Sequence, residues 1–370
     1  VGRPERMHQV KDLITRGDES KIVVLSALSG TTNALVSIGE ALASADKVLA
    51  KSRIDELHAH YNDFYPKLVK TEVAREKAQE IIKEHFEFLN ILLKISFNEA
   101  INRDILAQGE LLSTKLFHTL LEELEIPAVF LSALDFMSID ENSEPELQKI
   151  SDRLKAILAQ HPDDSIFITQ GFICKNHLNE VDNLKRGGSD YTASLVAAAI
   201  QATACEIWTD IDGMHNNDPR IVDKTRPIAE MSFDEAAELA YFGAKILHPA
   251  SIWPAQQFNV PVKLLNTMQP EAHGTLIKAE VDSVGVKAIA AKDGITAIKI
   301  KSSRMLLAYG FLRKVFEIFE KYKTPIDMIT TSEVAVSVTI DDLSHLEHIL
   351  EELGSFCSVE VDRDQTIICI

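Results

Sequence analysis

The spacing of hydrophobic positions changes several times along the 370-residue chain, and each change predicts an element. Four apolar, β-rich runs read as strands: KIVVLSAL (21–28), PAVFLSA (127–133), SIFITQGF (165–172) and CEIWTDI (205–211). VPVKLLN (260–266) reads as a fifth. Helical patterns separate these runs, so the order predicts an α/β fold with a mostly parallel sheet covered by helices on both faces. After Ser189-Asp190, the residues Leu195, Val196, Ala199 and Ile200 recur at the i, i+1, i+4, i+5 spacing of one buried helical face. Residues 40–125 read as mostly helical, with almost no Gly or Pro between Lys47 and Gly109. Within them REKAQEIIKEHFEFLNILLKI is apolar on more than one side, as in a helix packed between other helices.

The pattern shifts near GVKAIAAKDGITAIKIKS (285–302). From there it reads strand (295–301), helix (311–323), strand (326–331), strand (334–340), helix (343–353) and strand (358–362, extending towards 370). The first of these helices carries Leu312, Val315, Phe316 and Phe319 on one stripe, with Arg313, Lys314, Glu317 and Glu320 opposite. The second carries Leu346, Ile349, Leu350 and Leu353, and Gly354 follows as a residue just beyond the helix. That βαββαβ order predicts a ferredoxin-like module. It offers no candidate catalytic nucleophile or metal cluster, so it reads as a binding or regulatory appendage. The expected division is 1–282 for the α/β domain and 283–370 for the module.

Composition narrows the functional classes. Hydrophobic content of 46% and charged content of 25% describe a globular chain able to bury sizeable cores. A formal net charge of -18 argues against broad nucleic-acid or anionic-membrane binding, so an anionic ligand must be held by a local cluster of Arg, Lys and backbone amides. No apolar run approaches the ~20 residues of a membrane span, and no signal-peptide pattern opens the chain. Cys174, Cys205, Cys357 and Cys369 show neither CxxC nor metal-ligand spacing. No protein-held metal site is expected, and a reducing cytoplasm is.

Candidate chemistry sits at strand ends, where open α/β sheets bind ligands. In LKRGGSDYTASLVAAAIQA, Ser189 and Asp190 are helix N-cap types, and Gly187-Gly188 removes side chains where the backbone enters the helix. The stretch is either an ordinary turn with a cap or an anion site, to which Arg186 would add a planar charged fork. VVLSALSGTTNAL places Ser29, Gly30, Thr31, Thr32 and Asn33 beyond a strand end, suited to a small polar substrate or to a plain strand–helix junction. CEIWTDIDGMHNNDPRIV ends a strand at Thr209-Asp210 and reaches Arg220 through a polar loop, which suits metal-bound polyphosphate. AYFGAKILHPAS sets Lys245 after a glycine, near the end of a short helix. In LAQGELLSTKL, Glu110 opens an apolar helix, where a glutamate complements the dipole.

Taken in order, VVLSALSGTTNAL, GELLS, TQGFI, RGGSDYTA, TDIDG...DPR and FGAKILHPAS resemble the motifs of the aspartokinases. In the tail, GFLRKVFEIFEKY and PIDMITTSEVAVSVTI resemble the first ACT module of that family's regulatory region. The resemblance implies an amino-acid kinase domain, with aspartate held by Thr32, Glu110, Phe172, Arg186 and Ser189. It puts Asp190 and Arg186 at the catalytic centre and the nucleotide at Thr209, Asp210, Arg220 and Lys245. Met305, Phe311, Leu312, Asp327, Thr331, Ser332 and Glu333 resemble the family's effector site. The family opens with a strand and KFGGTS, whose lysine reaches the phosphates; this chain starts at Val1-Gly2, where that motif would end. It stops after TIICI, where relatives continue into a second ACT module. The resemblance therefore implies truncation at both ends, and little activity without an upstream KFGGTS-like segment. CKNHLNEVDNLK replaces the usual glycine-rich approach, and His215 stands where relatives often carry a Tyr.

The implied reaction is ATP-dependent phosphorylation of the aspartate side-chain carboxylate to 4-phospho-L-aspartate, the first step of lysine, threonine and methionine biosynthesis, with Mg2+ accompanying ATP. An aspartate side chain with a pKa of about 3.9 is already ionised, so no general base is required. Catalysis reduces to aligning two anions and neutralising charge on the γ-phosphoryl oxygens. Lysine is the expected feedback effector and threonine its competitor, with a homodimer or higher homo-oligomer formed through ACT modules. Two other readings stand beside this one. The first is a kinase of the same fold acting on glutamate, acetylglutamate, carbamate or UMP; the second is a catalytically inactive amino-acid sensor.

Overall fold

The structure, a computed structural model, describes residues 2–184, 187–218, 221–242, 247–281, 285–301, 309–332 and 334–370. Arg186, Arg220, Lys245, Met305 and Glu333 lie outside the described residues. The chain divides into two compact units. One comprises Val1–His215, Arg226–Ala240 and Lys245–Val284; the other comprises Asn216–Thr225, Tyr241–Ala244 and Gly285–Ile370.

The first unit opens with α1 (Pro4–Ile14), β1 (Lys21–Leu25), α2 (Thr31–Ala43), α3 (Lys47–Leu68), α4 (Glu72–Leu92) and α5 (Glu99–Glu123). It continues with β2 (Val129–Leu131), α6 (Ala133–Phe136), α7 (Leu147–Leu158), β3 (Ile166–Gln170), β4 (Ile173–Lys175), β5 (Val181–Asn183) and α8 (Gly188–Ile200). Then follow β6 (Cys205–Thr209), β7 (Glu230–Ser232), α9 (Phe233–Phe242), α10 (Trp253–Gln257), β8 (Val262–Asn266) and β9 (Thr275–Lys278). The last two residues of α9, Tyr241 and Phe242, group with the second unit.

β1, β3 and β2 form a parallel sheet in that order. On β3, Ile166 and Ile168 enter a core shared with α1 to α5, while Phe167 enters a core shared with α6, α7 and α8. Alternation along one strand thus buries both faces, and every residue of β3 is buried. A second sheet has the order β6-β8-β9-β7, in which β6–β8 and β7–β9 are parallel and β8–β9 is antiparallel. The parallel pairs expected from sequence therefore fall in two ladders. α4 packs between α3 and α5, in keeping with its two apolar sides. α8 packs against both β1 and β6.

The second unit adds β10 (Ala290–Lys301), α11 (Phe311–Lys321), β11 (Met328–Thr331), β12 (Ala335–Ile340), α12 (Leu346–Gly354) and β13 (Ser358–Cys369). Its antiparallel sheet has the order β11-β12-β10-β13, the ferredoxin-like arrangement that the βαββαβ pattern predicts. Val315, Ile318 and Phe319 of α11 and Ile349 and Leu353 of α12 pack on Ile298, Ile300, Val336 and Val338.

Two local expectations are corrected here. Leu312 and Phe316 are 40% and 41% exposed, and the inward face of α11 is Phe311, Val315, Ile318 and Phe319. The ring of Phe311 packs edge-on against Phe356 at 5.9 Å, which fixes the helix in that rotation. Gly354 is the last residue of α12 rather than a left-handed residue beyond it. Ser355 closes the helix in a right-handed conformation, its hydroxyl donating to the Glu352 carbonyl at 2.6 Å. Among the described residues, no helix is long and apolar enough to cross a membrane.

Candidate functional site

β1 ends at Leu25, and the chain turns into α2 with α5 lying close beside it. A Cβ on Gly109 would stand 2.9 Å from Ala27 Cβ and 3.4 Å from Thr31 Cγ2, so this approach depends on glycine. It brings Glu110 against the turn, where the Ala27 N–H donates to Oε1 at 3.3 Å. Glu110 lies in the middle of α5, not at its start. The helix begins earlier because the Asn98 side chain caps it, accepting from the Ile101 N–H at 2.9 Å. The expected dipole role is thereby removed. Glu110 is only 4% exposed, and its Oε2 has no hydrogen-bond partner among the described residues. Burial pushes its carboxyl up to about 7, against the opposing pull of the Ala27 amide. A buried acceptor left open in this way suits a ligand's ammonium group.

The turn is also fixed from beneath. Thr31 is buried and shares a 3.1 Å hydrogen bond with the hydroxyl of Tyr61, a fully buried residue of α3. The Ser113 hydroxyl donates to the Ser26 carbonyl at 2.7 Å. Thr32, one residue further along, is exposed in the first turn of α2.

At the neighbouring strand end, the Gly171 N–H donates to the Leu25 carbonyl at 2.8 Å and ties β3 to β1. Phe172 follows with a left-handed φ of 64°. Its N–H donates to Thr192 Oγ1 at 2.9 Å, and its carbonyl accepts from the Leu184 N–H at 2.7 Å. Ser189 is packed so tightly on Gly171 that an added Cβ would stand 2.3 Å from its Oγ. Thr32, Glu110, Phe172 and Ser189 are therefore arranged about the carboxyl ends of β1 and β3.

α8 is capped by Gly187, with φ 63°, and Gly188 is left-handed as well, with φ 51°. Ser189 and Asp190 lie inside the first turn, correcting their reading as N-caps: two glycines let the chain enter the helix earlier. Asp190 is partly buried, and that desolvation pushes its carboxyl up to about 6.

Thr209 and Asn266 are paired at the carboxyl ends of β6 and β8. The Thr209 hydroxyl accepts from the Ile211 N–H at 3.2 Å and donates to Asp210 Oδ1 at 3.3 Å, leaving Asp210 exposed. His215 is buried and reaches Asp212 Oδ1 from Nε2 at 2.7 Å. α8 touches both β1, whose end lies beside Glu110, and β6, whose last residue is Thr209. Among the described residues, no group of three His, Cys, Asp or Glu side chains could hold a metal.

In the second unit, Phe311 belongs to the core and Leu312 faces outward. Asp327 precedes β11, whereas Thr331 ends it and Ser332 closes the following turn, its N–H donating to the Ala335 carbonyl at 2.8 Å. Three strand residues separate Asp327 from Thr331, four steps or about 13 Å at the usual rise. The structure does not bring those two ends of the expected effector set together within one chain. Tyr61, Ser113 and Thr192 were not singled out by sequence. Each acts on a partner distant along the chain, and only the glycine before Glu110 hinted at close packing there.

A model of the amino acid kinase family matches residues 4–266. Lysine-sensitive aspartokinase 3 of Escherichia coli is 32% identical over 378 residues, covering 99% of this chain and 83% of that protein. Chloroplastic aspartokinase 3 of Arabidopsis thaliana is 35% identical over 406 residues, covering 100% and 69%. Among solved structures, E. coli aspartokinase III in complex with aspartate and ADP (R-state) superposes with a TM-score of 0.82 at 31% identity, covering 99% of this chain and 84% of that one. E. coli aspartokinase III in complex with lysine and aspartate (T-state) gives 0.79 at 32% identity, covering 98% and 82%.

Proposed function

Because the chain belongs to the aspartokinase family, we propose that it transfers the γ-phosphoryl group of ATP to the side-chain carboxylate of L-aspartate, yielding 4-phospho-L-aspartate and ADP. The observation that carries this reading is Glu110, a buried carboxylate with an open oxygen at the end of β1. An amino-acid substrate brings the ammonium that such an acceptor needs. Thr32, Phe172 and Ser189 would surround the rest of aspartate, with Arg186 making a forked contact to a carboxylate. Asp190 would orient the cationic groups at the reacting centre, since the attacking carboxylate has no proton to lose. The nucleotide would lie along Thr209 and Asp210, completed by Arg220 and Lys245. A Mg2+ ion accompanying ATP would take most of its ligands from phosphate and water and would neutralise charge on the phosphates.

Lysine is the proposed feedback effector, acting at the second unit through Phe311, Leu312, Asp327, Thr331 and Ser332, together with Met305 and Glu333. The lysine complex of the E. coli relative supports this choice. Pairing of two chains through their ACT modules belongs to the same reading. The test is ADP release by the full-length protein with aspartate, glutamate, acetylglutamate, carbamate and UMP in parallel. Aspartate alone should drive turnover, and an equal response to any other acceptor would overturn the assignment. Arg186→Ala should lower kcat/KM for aspartate by at least about tenfold. Unchanged aspartate kinetics in that variant would remove Arg186 from the site.

A further inference from the structure

The second unit contains a charged cluster that its ferredoxin-like frame does not require. Lys292 on β10, Asp327 before β11, Asp341 after β12 and Tyr241 meet within it. The Asp327 N–H donates to the Thr339 carbonyl at 2.8 Å, and β12 pairs with β10 from Ile340 opposite Thr296. That register, with a bulge after Lys292, brings the three chain segments to one end of the sheet.

Lys292 Nζ lies 3.0 Å from Asp327 Oδ1, 2.9 Å from Asp341 Oδ2 and 4.4 Å from the centre of the Tyr241 ring. The Tyr241 hydroxyl donates to the same Asp327 Oδ1. One oxygen of Asp327 is thus held by two donors. The other, Oδ2, has no hydrogen-bond partner among the described residues, although the side chain is only 1% exposed.

Leaving a buried carboxylate oxygen unsatisfied is unfavourable, so this arrangement needs a compensating group. Charge says which kind. Two carboxylates against one ammonium leave the trio one positive charge short. A neutral hydroxyl would satisfy the lone pair at Oδ2 but not the charge; an ammonium satisfies both.

We infer that Lys292 and Tyr241 are positioning residues of the effector site, pinning Asp327 by Oδ1 so that Oδ2 is presented to the ammonium group of an amino-acid effector. This rests on the regulatory reading above, and extends it by naming residues that set effector affinity without touching the effector.

The experiment measures the lysine concentration giving half-maximal inhibition of the full-length protein, with lysine binding followed in parallel by titration calorimetry. Asp327→Asn should abolish the lysine response. Lys292→Gln should raise the half-inhibitory concentration about tenfold, and Tyr241→Phe by a smaller factor, because each loosens a charge-assisted contact to Oδ1. Lys292→Arg keeps the charge and should retain sensitivity, which separates the effect from misfolding. If Lys292→Gln and Tyr241→Phe respond like the parent while Asp327→Asn does not, the positioning role is refuted and the effector site stands. Tighter lysine binding by Lys292→Gln also refutes it, since Lys292 would then compete with the ligand. An unchanged Asp327→Asn variant removes Asp327 from the effector site and the inference with it.

Discussion

Glu110 in the first unit and Asp327 in the second are both buried carboxylates with one oxygen lacking a partner, yet their surroundings differ. Glu110 is held by the neutral Ala27 amide, and burial dominates its chemistry. Asp327 is held by the Lys292 ammonium and the Tyr241 hydroxyl, within a cluster where Asp341 shares that ammonium and one negative charge is left over. The first arrangement gives an acceptor that binds a proton near neutral pH until a ligand's cation displaces it. The second gives an acceptor whose geometry is set by an ion pair. Under the proposed assignments, the substrate and effector sites would solve the same problem, holding an ammonium in a dry place, by opposite means.

The strongest way to break the comparison is to remove the charge at Glu110. Glu110→Gln should lower kcat/KM for aspartate about a hundredfold, because a charge-assisted contact in a buried setting is lost. The same change should stabilise the ligand-free protein at pH 8. The carboxyl is raised from 4.5 to about 7 in the folded chain, so the folded state holds that proton more tightly than the unfolded one. Above about 7 the charged form is buried at a cost of at most roughly 3 kcal/mol, which fades as pH falls towards 4.5. Thermal denaturation should show a higher Tm for Glu110→Gln at pH 8 and parity with the parent near pH 4.5. A lower Tm at pH 8 would mean that Glu110 is already paired in the free protein.

A milder test leaves the sequence alone. If aspartate binds only to ionised Glu110, its KM should rise by about tenfold between pH 8 and pH 6, since binding must then expel a proton. Initial rates against aspartate concentration across that range would show it. A flat KM would sever the acceptor from the proton.

The smallest expected effect lies beneath the site. Tyr61→Phe deletes one hydroxyl and frees Thr31 Oγ1. Aspartate KM should rise about threefold with kcat little changed, the value of one ordinary hydrogen bond. Thr31→Val should do the same, the double variant no more than either alone, and Thr31→Ser should behave like the parent. Additive losses in the double variant would show that the two groups act separately.

The elements were legible wherever burial imposes a period. β3 is covered on both faces and reads as one apolar run, and the ferredoxin-like module is readable from its alternating strands and two amphipathic helices. Period alone leaves the rotation of a short helix open, as α11 shows. The stripes 312/315/316/319 and 311/315/318/319 both suit a helix, and the contact of Phe311 with Phe356 decides between them. At the site, residue types pointed to Thr32, Glu110, Phe172 and Ser189 through family resemblance, whereas their environments were hidden. The Thr31–Tyr61 bond links positions 30 residues apart, and the Lys292–Asp327 pair depends on a bulged register, so neither leaves a local pattern.

The left-handed backbone of Phe172 sets local strain against the packing of its ring. A side chain in that conformation costs on the order of 1 kcal/mol, which glycine would not incur. The ring offsets that cost by packing against the core shared with α6, α7 and α8, so a glycine here would relieve the backbone and forfeit buried apolar surface in the same stroke.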